Sequence, residues 1–248
     1  EVNHRCSNPH CFAKERRKLY YFVSKSAFDI DHLGPAVIDL LADNDLISTP
    51  ADLFRLEKSE VEALPRMGEK SAQNLLDAVN AKRKIGLARL IISLGISQVG
   101  EETAYDIAKH FRTIDNIKNA TQSEFLSVYG IGEVTATSLF EWLKDKANQK
   151  ILNDLLGVVQ VLHEEVVEDK TGPLAGQSFV FTGTLERLER EQAKQLVRDN
   201  GGEVSESVSK ETNYVVAGAN PGSKFDKAKK LGVPILDEEG FLKMLKNK

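Results

Sequence analysis

VYGIGEVTATSLFEWL, residues Val128 to Leu143, places two glycines directly before a helical pattern of apolar residues. No strand pattern precedes these glycines. Because glycine allows the backbone to turn tightly, the stretch predicts a sharp turn that leads into a helix.

The same pattern occurs four times in the chain. Its glycines are spaced 34, 32 and 32 residues apart, at Gly34, Gly68, Gly100 and Gly132. Four residues after each glycine stands Ile38, Ala72, Ala104 or Ala136. Seven residues after each glycine stands Leu41, Leu75, Ile107 or Leu139. This spacing is helical, the small residues suit close helix packing, and the regular period indicates a repeated supersecondary unit.

Each unit is predicted to be a helix, a short hairpin turn and a second helix. An apolar helical pattern precedes three of the glycines, over Ala51–Leu64, Ala88–Leu94 and Ser123–Val128. The glycine leaves the first amides of the second helix open, and those N–H groups attract anions together with the helix dipole. A DNA phosphate fits that description. The alternative is a packed helix pair in which glycine only turns the chain.

Other residues of the turns carry further expectations. Three polar residues stand two or three positions after a glycine, near where a phosphate would lie: Lys70, Thr103 and Thr135. The glycine pair is complete only in Gly130-Ile131-Gly132, since the other turns begin with His32, Arg66 and Gln98. Side chains at that position argue against a left-handed turn, although these polar groups are long enough to reach DNA themselves.

Composition sets limits on the function. The chain has 248 residues, of which 41% are hydrophobic and 28% charged, with a formal net charge of −4. That charge argues mildly against binding nucleic acid through a basic surface, but phosphate binding by helix N-termini needs no basic excess. No apolar run approaches the ~20 residues that span a bilayer. We therefore expect a cytoplasmic protein with no membrane partner, and the start at Glu1 predicts a fragment of a longer chain.

Two cysteines and a basic run stand near the start. Cys6 and Cys11, in RCSNPHC, have a spacing used by structural zinc pairs, but they supply only two of four ligands. An incidental pair is the alternative. With no other cysteine, a disulfide framework is not expected. The basic run KERRK at Lys14–Lys18 predicts a solvated face, with contact to phosphates as the alternative.

The pattern changes towards the C-terminus. After Asn148 a helix-like stretch ends near Val161–Val167, and residues 168–173 form a polar linker with Gly and Pro. Strands then alternate with helices, which predicts a small parallel sheet flanked by helices. The strand candidates are Gln177–Leu185, Asn213–Ala219 and Val233–Leu236, and the helix candidates are Arg190–Val204, Ser223–Gly232 and Glu238–Lys246.

The four turns resemble the helix-hairpin-helix DNA-binding motif, and their tandem arrangement resembles the corresponding domain of NAD-dependent bacterial DNA ligases. In that family a four-cysteine zinc finger precedes the domain, and its last two cysteines match Cys6 and Cys11. The first pair would lie before Glu1, so zinc would be held weakly here. The stretch YFVSKSAFDI, Tyr21–Ile30, also looks like the junction that follows the finger in that family.

The C-terminal part resembles a BRCT domain. Thr182-Gly183 follows the first strand, a second glycine pair follows the first helix, and Phe241 stands near the usual Trp of the last helix. Some BRCT domains bind phosphate through a Ser/Thr-Gly turn and a Lys that opens the second helix. The resemblance assigns those roles to Thr182, Gly183 and Lys224. The alternative is a simple turn and a solvated lysine.

The resemblance implies a multidomain chain. Half of a zinc finger (1–22) precedes an all-α helix-hairpin-helix domain of four motifs (23–167), the linker (168–173) and a small α/β BRCT domain (174–248). It also implies the C-terminal region of a ligase that seals nicks in duplex DNA during replication and repair. NAD and magnesium would bind outside this region. Since no K-x-D/E-G adenylation sequence occurs, the chain alone is expected to be inactive and to grip nicked duplex DNA across the minor groove.

Two other functions stay open. A helix-hairpin-helix DNA glycosylase would use one hairpin followed by a catalytic Asp, and four tandem hairpins with a BRCT-like tail argue against it. A non-enzymatic adaptor would bind a phosphorylated repair or replication protein through the BRCT-like module. Excision of damaged bases would indicate the first function, and phosphopeptide binding independent of DNA would indicate the second.

Overall fold

The computed structural model describes residues 12–162 and 172–246. The chain separates into two compact units, one within Glu1–Glu165 and one within Val166–Lys248. The predicted fold class is confirmed, because the first unit is largely helical and the second combines helices with a parallel sheet. Cys6, Cys11 and residues 168–171 of the linker lie outside the described residues. The domain limits at 22, 167 and 173 stay predictions.

Short helices make up most of the first unit. In chain order its described elements are α1 (Phe12–Val23), α2 (Pro35–Asp43), α3 (Pro50–Leu53), α4 (Lys58–Glu62), α5 (Glu69–Ala81), β1 (Lys84–Gly86), α6 (Leu87–Ser93), α7 (Glu101–Phe111), α8 (Ile114–Asn119), α9 (Gln122–Leu126), α10 (Glu133–Lys144), α11 (Lys146–Leu156) and β2 (Gln160–Leu162). We number the hairpins 1 to 4 by their glycines, in the order Gly34, Gly68, Gly100 and Gly132. Helices α2, α5, α7 and α10 each begin at the residue after a hairpin glycine.

The periodic residues form the core of the first unit, as the sequence predicts. The residues four positions after the glycines, Ile38, Ala72, Ala104 and Ala136, are all fully buried. Those seven positions after them, Leu41, Leu75, Ile107 and Leu139, are at most 1% exposed. Both sets belong to one continuous hydrophobic cluster. The four hairpins therefore share a single core.

The helix predicted over Ala51–Leu64 is two helices, α3 and α4. The break follows from capping: the Glu57 side chain accepts a bond from the backbone of Glu60, and the Glu60 side chain reaches back to the Glu57 amide. This reciprocal pair starts a new helix and satisfies donors that the first turn leaves open. The other two predicted leading helices correspond to α6 and α9.

A two-stranded parallel pair closes the first unit, and the sequence did not predict it. Lys84 pairs with Gln160 and Gly86 with Leu162, so the helix expected to continue to Val161–Val167 is wrong in this part. Arg83 holds the pair in place, since its guanidinium donates to the carbonyl oxygens of Val158, at 3.0 Å, and Phe54. One side chain thereby joins segments that are distant in sequence.

The basic run at Lys14–Lys18 lies within α1, and it is not simply a solvated face. The Arg16 side chain is only 12% exposed, and it contacts Asp39 at 2.8 Å and also Asp43, both on α2. The Tyr20 hydroxyl donates to the same Asp39 carboxylate. Hydrogen bonds from Tyr20 and then Arg16 hold the pKa of Asp39 below its usual range. This cluster fixes α1 against hairpin 1.

The second unit is an α/β layer structure. Its described elements are β3 (Ser178–Thr182), α12 (Arg190–Asp199), β4 (Glu203–Val204), β5 (Tyr214–Ala217), α13 (Ser223–Leu231), β6 (Ile235–Leu236) and α14 (Glu238–Lys246). All the strands are parallel, in the order β4-β3-β5-β6. In the stretch Arg190–Val204 the helix ends at Asp199, just before the glycine pair predicted to close it, and Glu203 and Val204 form a strand that was not predicted. Phe241 of α14 is fully buried and packs edge-on against Phe179 and Phe181, as expected for the residue at the Trp position.

We predict that Arg83→Met lowers the free energy of unfolding of the first unit by about 2–3 kcal/mol, because two carbonyls lose a charged donor. Urea unfolding followed through the fluorescence of Trp142, the single tryptophan, reports on this unit. Arg55→Met is the control: Arg55 is half-exposed and makes one ion pair, of 3.4 Å, with Asp52, so its loss should cost less than about 0.5 kcal/mol. Equal losses of unfolding free energy in the two variants would contradict the stabilising role of Arg83.

Candidate functional site

Hairpins 2, 3 and 4 share one main-chain turn. The amides of Met67, Val99 and Ile131 donate to the carbonyls three residues earlier at 3.1, 3.2 and 3.1 Å. The third residue of each turn has a positive φ, of 66° at Arg66, 65° at Gln98 and 82° at Gly130, and His32 of hairpin 1 has a φ of 62°. The expectation that side chains would prevent a left-handed turn is therefore wrong. Tertiary packing of the buried residues on both sides outweighs a cost of about 1–2 kcal/mol per residue.

The hairpin glycines are N-caps of open helix ends. In each hairpin the amide four residues on donates to the glycine carbonyl, at 3.1, 3.0, 2.9 and 3.0 Å in hairpins 1 to 4. No side chain caps any of these helices. All four glycines are exposed, and a Cβ atom on any of them would meet nothing within 4 Å. The first amides of such a helix have no acceptor four residues earlier within the helix, and the space beside each glycine is open.

The hairpins differ in how well they suit an anion. In hairpin 1, Pro35 removes one of the open amides, and the Val37 amide donates to the Gly34 carbonyl at 3.0 Å. In hairpin 2, Lys70 is exposed in the first turn of α5, where its ammonium group adds a positive charge. Thr103 and Thr135 are the third residues of α7 and α10 and are half-buried. We call the hairpin glycine and the first turn of the helix that follows it the mouth of the hairpin. The structure places every predicted DNA-binding residue in or directly beside such a mouth, and whether these residues bind DNA stays a prediction.

Acidic residues at the helix N-termini weaken the attraction of the hairpins for an anion. Hairpins 2, 3 and 4 each carry a glutamate directly after the glycine: Glu69, Glu101 and Glu133. A carboxylate there stabilises the helix through its dipole but repels a phosphate. Any single hairpin is therefore a modest anion site.

Hairpin 4 carries exposed apolar groups that the sequence reasoning did not single out. Tyr129 in the turn is 80% exposed and Val134 in the first turn of α10 is 69% exposed. The sequence held a signal for the second, because Val134 stands where hairpin 2 has Lys70. The hairpins thus present different chemistry on one backbone geometry.

A cavity of about 390 Å³ in the second unit brings the three predicted phosphate-binding residues together. Thr182, Gly183 and Lys224 line it together with Arg190, Asn220 and Ser223. Sequence reasoning missed Arg190. The available signal was a cation at the first position of a helix, where the dipole favours an acidic residue.

Gly183 has a structural role in this cavity. Its φ is 77°, and a Cβ atom there would lie 2.6 Å from the Ala219 carbonyl oxygen. The adjacent Thr184 forms a bridge with Ala219, so the close approach is fixed. Thr182 is 5% exposed, and its Oγ1 accepts from the Gly222 amide at 3.2 Å.

Glu206 neutralises the predicted lysine. Its carboxylate accepts from Lys224 Nζ at 3.3 Å and from the buried Lys194 Nζ at 3.0 Å. Burial acts to raise the pKa of Glu206, but hydrogen bonds and charge from the two lysines outweigh it and lower that pKa. Glu206 therefore stays ionised at neutral pH and holds Lys224.

The predicted zinc ligands cannot be placed, since Cys6 and Cys11 lie outside the described residues. Within residues 12–162 and 172–246 no group of three or more His, Cys, Asp or Glu side chains is arranged to hold a metal. None of the helices in those ranges has the length and apolar character needed to cross a bilayer.

Comparisons with known families agree with this division. The family described as "SAM-like Helix-hairpin-helix tandem" matches residues 26–81, and "Helix-hairpin-helix motif" matches residues 89–152. "BRCA1 C Terminus (BRCT) domain" matches residues 169–245. The chain is thus a helix-hairpin-helix and BRCT protein.

Among curated proteins, the chain is 41% identical over 245 residues to a DNA ligase of Koribacter versatilis (strain Ellin345), which covers 99% of this chain and 36% of that protein. It is 44% identical over 238 residues to a DNA ligase of Pelotomaculum thermopropionicum, covering 96% and 35%. The chain is therefore similar in sequence to these DNA ligases, and it spans about a third of their length.

One solved structure gives only a weak likeness. A crystal structure of Rad4 BRCT1,2 in complex with a Crb2 phosphopeptide is 15% identical, with a TM-score of 0.28 over 43% of this chain and 56% of that chain. A likeness at this level supports no conclusion about the present chain.

We predict opposite roles for the two glycines of hairpin 4. Gly130→Ala should lower the free energy of unfolding by about 1 kcal/mol, because φ is positive there. Gly132→Ala should change it by less than about 0.5 kcal/mol, because φ is −89° and the lower entropy of the unfolded chain offsets a poorer N-cap. Urea unfolding followed by Trp142 fluorescence measures both, and equal losses would refute the distinction.

Proposed function

We propose that this chain is the DNA-gripping C-terminal region of an NAD-dependent DNA ligase, a class of enzyme that seals nicks in duplex DNA during replication and repair. The observation that carries the proposal is the repeated helix N-terminus: the helices that follow hairpins 1 to 4 each begin after an exposed glycine in extended conformation and have no side-chain cap. The similarity to curated DNA ligases supports the same function.

The proposed contact is with backbone phosphates, at sites that carry no base readout. Amides at helix N-termini bind phosphate oxygens and position a protein on the duplex without reading sequence. The period of 32 to 34 residues places equivalent mouths on successive units of one core. Such an interface tolerates a net charge of −4, since its donors are main-chain groups. It favours duplex DNA held across the minor groove with little sequence preference.

The chemistry of sealing is assigned to other parts of the parent enzyme. NAD and magnesium are proposed to bind outside these 248 residues, since no K-x-D/E-G sequence occurs in them. We further propose that Cys6 and Cys11 supply two of the four thiolates of a structural zinc site, with the other ligands supplied from elsewhere. The proposed location is the cytoplasm, in association with the nucleoid.

A second candidate function belongs to the second unit. The cavity lined by Thr182, Gly183 and Lys224 favours binding of a phosphate group, because a hydroxyl and cationic side chains line it. On this proposal the BRCT domain binds a phosphorylated repair or replication protein, in addition to the grip on DNA by the hairpins.

We predict that Gly100→Val and Gly132→Val each weaken duplex binding about tenfold, because an added side chain blocks the approach of a phosphate to the open amides. Both glycines have extended backbone and open space around the missing Cβ, so valine fits without unfolding the unit. Fluorescence anisotropy of nicked, intact and single-stranded DNA measures the effect, and circular dichroism checks helicity.

Gly86→Val is the matched control. Gly86 is also an N-cap with open space around its missing Cβ atom, but it begins α6 and does not follow a hairpin turn. Its substitution should leave DNA affinity unchanged. Unaltered affinity in the Gly100 and Gly132 variants would support the packing-only interpretation of the hairpins instead.

We predict that duplex binding weakens steadily with salt and that Lys70→Gln reduces the slope of log affinity against log salt by about one. The exposed ammonium of Lys70 at the mouth of hairpin 2 is the proposed source of one released counterion. Lys150→Gln, on the exposed side of α11, is the control and should leave the slope unchanged. Equal slopes for all three proteins would remove Lys70 from the interface.

A further inference from the structure

Two cations of the second unit occupy helix positions that the dipole disfavours. Arg190 is the first residue of α12 and Lys224 is the second residue of α13. Helix N-termini are already positive, so each cation adds to an unfavourable local potential. Both residues line the cavity of about 390 Å³. Positive groups gathered around one cavity are compatible with an anion between them.

Thr182 supplies a buried donor to the same cavity. Its side chain is 5% exposed, and its oxygen already accepts from the Gly222 amide at 3.2 Å. Within residues 12–162 and 172–246 its hydroxyl hydrogen has no acceptor. A bound anion would give this buried group the partner that burial otherwise denies it.

The two cations differ in their surroundings. Lys224 is paired with Glu206 at 3.3 Å, and the same carboxylate pairs at 3.0 Å with Lys194, which is only 4% exposed and has a second, longer pair with Glu191 at 3.3 Å. The pair with the buried Lys194 helps to fix the Glu206 carboxylate in the position from which it also holds Lys224.

Arg190 has no carboxylate partner among the described residues. One of its terminal N–H groups donates to the Gly183 carbonyl oxygen at 2.9 Å, which fixes the guanidinium at the cavity. The loop before Arg190 is itself fixed, because the Glu238 carboxylate accepts from the amides of Glu186, Arg187 and Leu188 at 2.6–3.1 Å. The remaining guanidinium donors are available to a planar or tetrahedral anion.

We infer that Arg190, and not Lys224, is the principal cation of this cavity, and that Glu206 is a built-in competitor that holds Lys224 away from the ligand. This inference rests on the phosphate-binding proposal for the second unit. The ligand is a phosphate monoester on a side chain of a partner protein. Residues 172–246 contain eleven Lys and Arg and eleven Asp and Glu, and a net neutral unit does not attract a polyanionic duplex.

The test is a titration of the 248-residue chain with N-acetyl-O-phosphothreonine methylamide, followed by the amide NMR signals of Gly183 and Gly222. The expected results are binding at least tenfold weaker for Arg190→Gln, within twofold of the wild type for Lys224→Gln, and at least fivefold tighter for Glu206→Gln. The double variant Glu206→Gln/Lys224→Gln should lose that gain, because the gain comes from the released lysine.

Three outcomes would each contradict one part of the inference: the assignment of the cation, the phosphate site or the choice of partner. If Lys224→Gln weakens binding as much as Arg190→Gln and Glu206→Gln changes nothing, the assignment is wrong while the phosphate site stands. If no protein gives a saturable shift, the site itself fails, and the hairpin proposal, tested on DNA, is untouched. Stronger Arg190-dependent binding of a 5′-phosphorylated duplex end would overturn the choice of partner. Should Glu206→Gln unfold the unit through Lys194, the comparison of Arg190→Gln with Lys224→Gln still decides the assignment.

Discussion

One residue in each hairpin determines the rest of the first unit. The residue four positions after the glycine is fully buried, and its amide makes the first helical hydrogen bond to the glycine carbonyl at 2.9–3.1 Å. The same residue thus bonds to the helix N-cap and anchors the helix to the core. Because its position is fixed from the inside, the glycine and the amides between them are held at the surface. The open helix end is therefore a result of packing and requires no dedicated surface residue.

The sequence predicted what local periodicity controls. Apolar residues at helical spacing identified the core of the first unit, and alternating strands and helices identified the class of the second. Contacts between distant residues were not predictable in this way. Arg83 meets Val158, and Arg16 meets Asp39, through pairings that no local pattern specifies. The two short strands were missed for the same reason, since each is only three residues long and its partner lies far along the chain.

The candidate site residues also differ in whether a local pattern or a contact between distant residues defines them. Gly132 and its equivalents were found because their role is local, in a turn that repeats. Thr182, Gly183 and Lys224 came from a resemblance, and the structure does bring them to one cavity. Their neighbours change the interpretation, because Gly183 is required by the close approach of Ala219 and Lys224 is held by Glu206. For Arg190 the sequence offers only a cation at the first position of a helix, and its place at the cavity depends on a contact with Gly183 and on a loop fixed by Glu238, which no local pattern specifies.

The proposed affinity for DNA comes from four weak phosphate-binding sites that act together on one duplex. A glutamate beside the mouths of hairpins 2 to 4 limits each one, and Pro35 removes a donor from hairpin 1. Linked weak sites bind far more tightly than any one of them when their spacing matches the ligand, and the gain is lost when it does not. One continuous core sets the spacing of the four mouths. Affinity for a long duplex would then depend on the rigidity of that core, while each single contact stays weak enough to release the DNA.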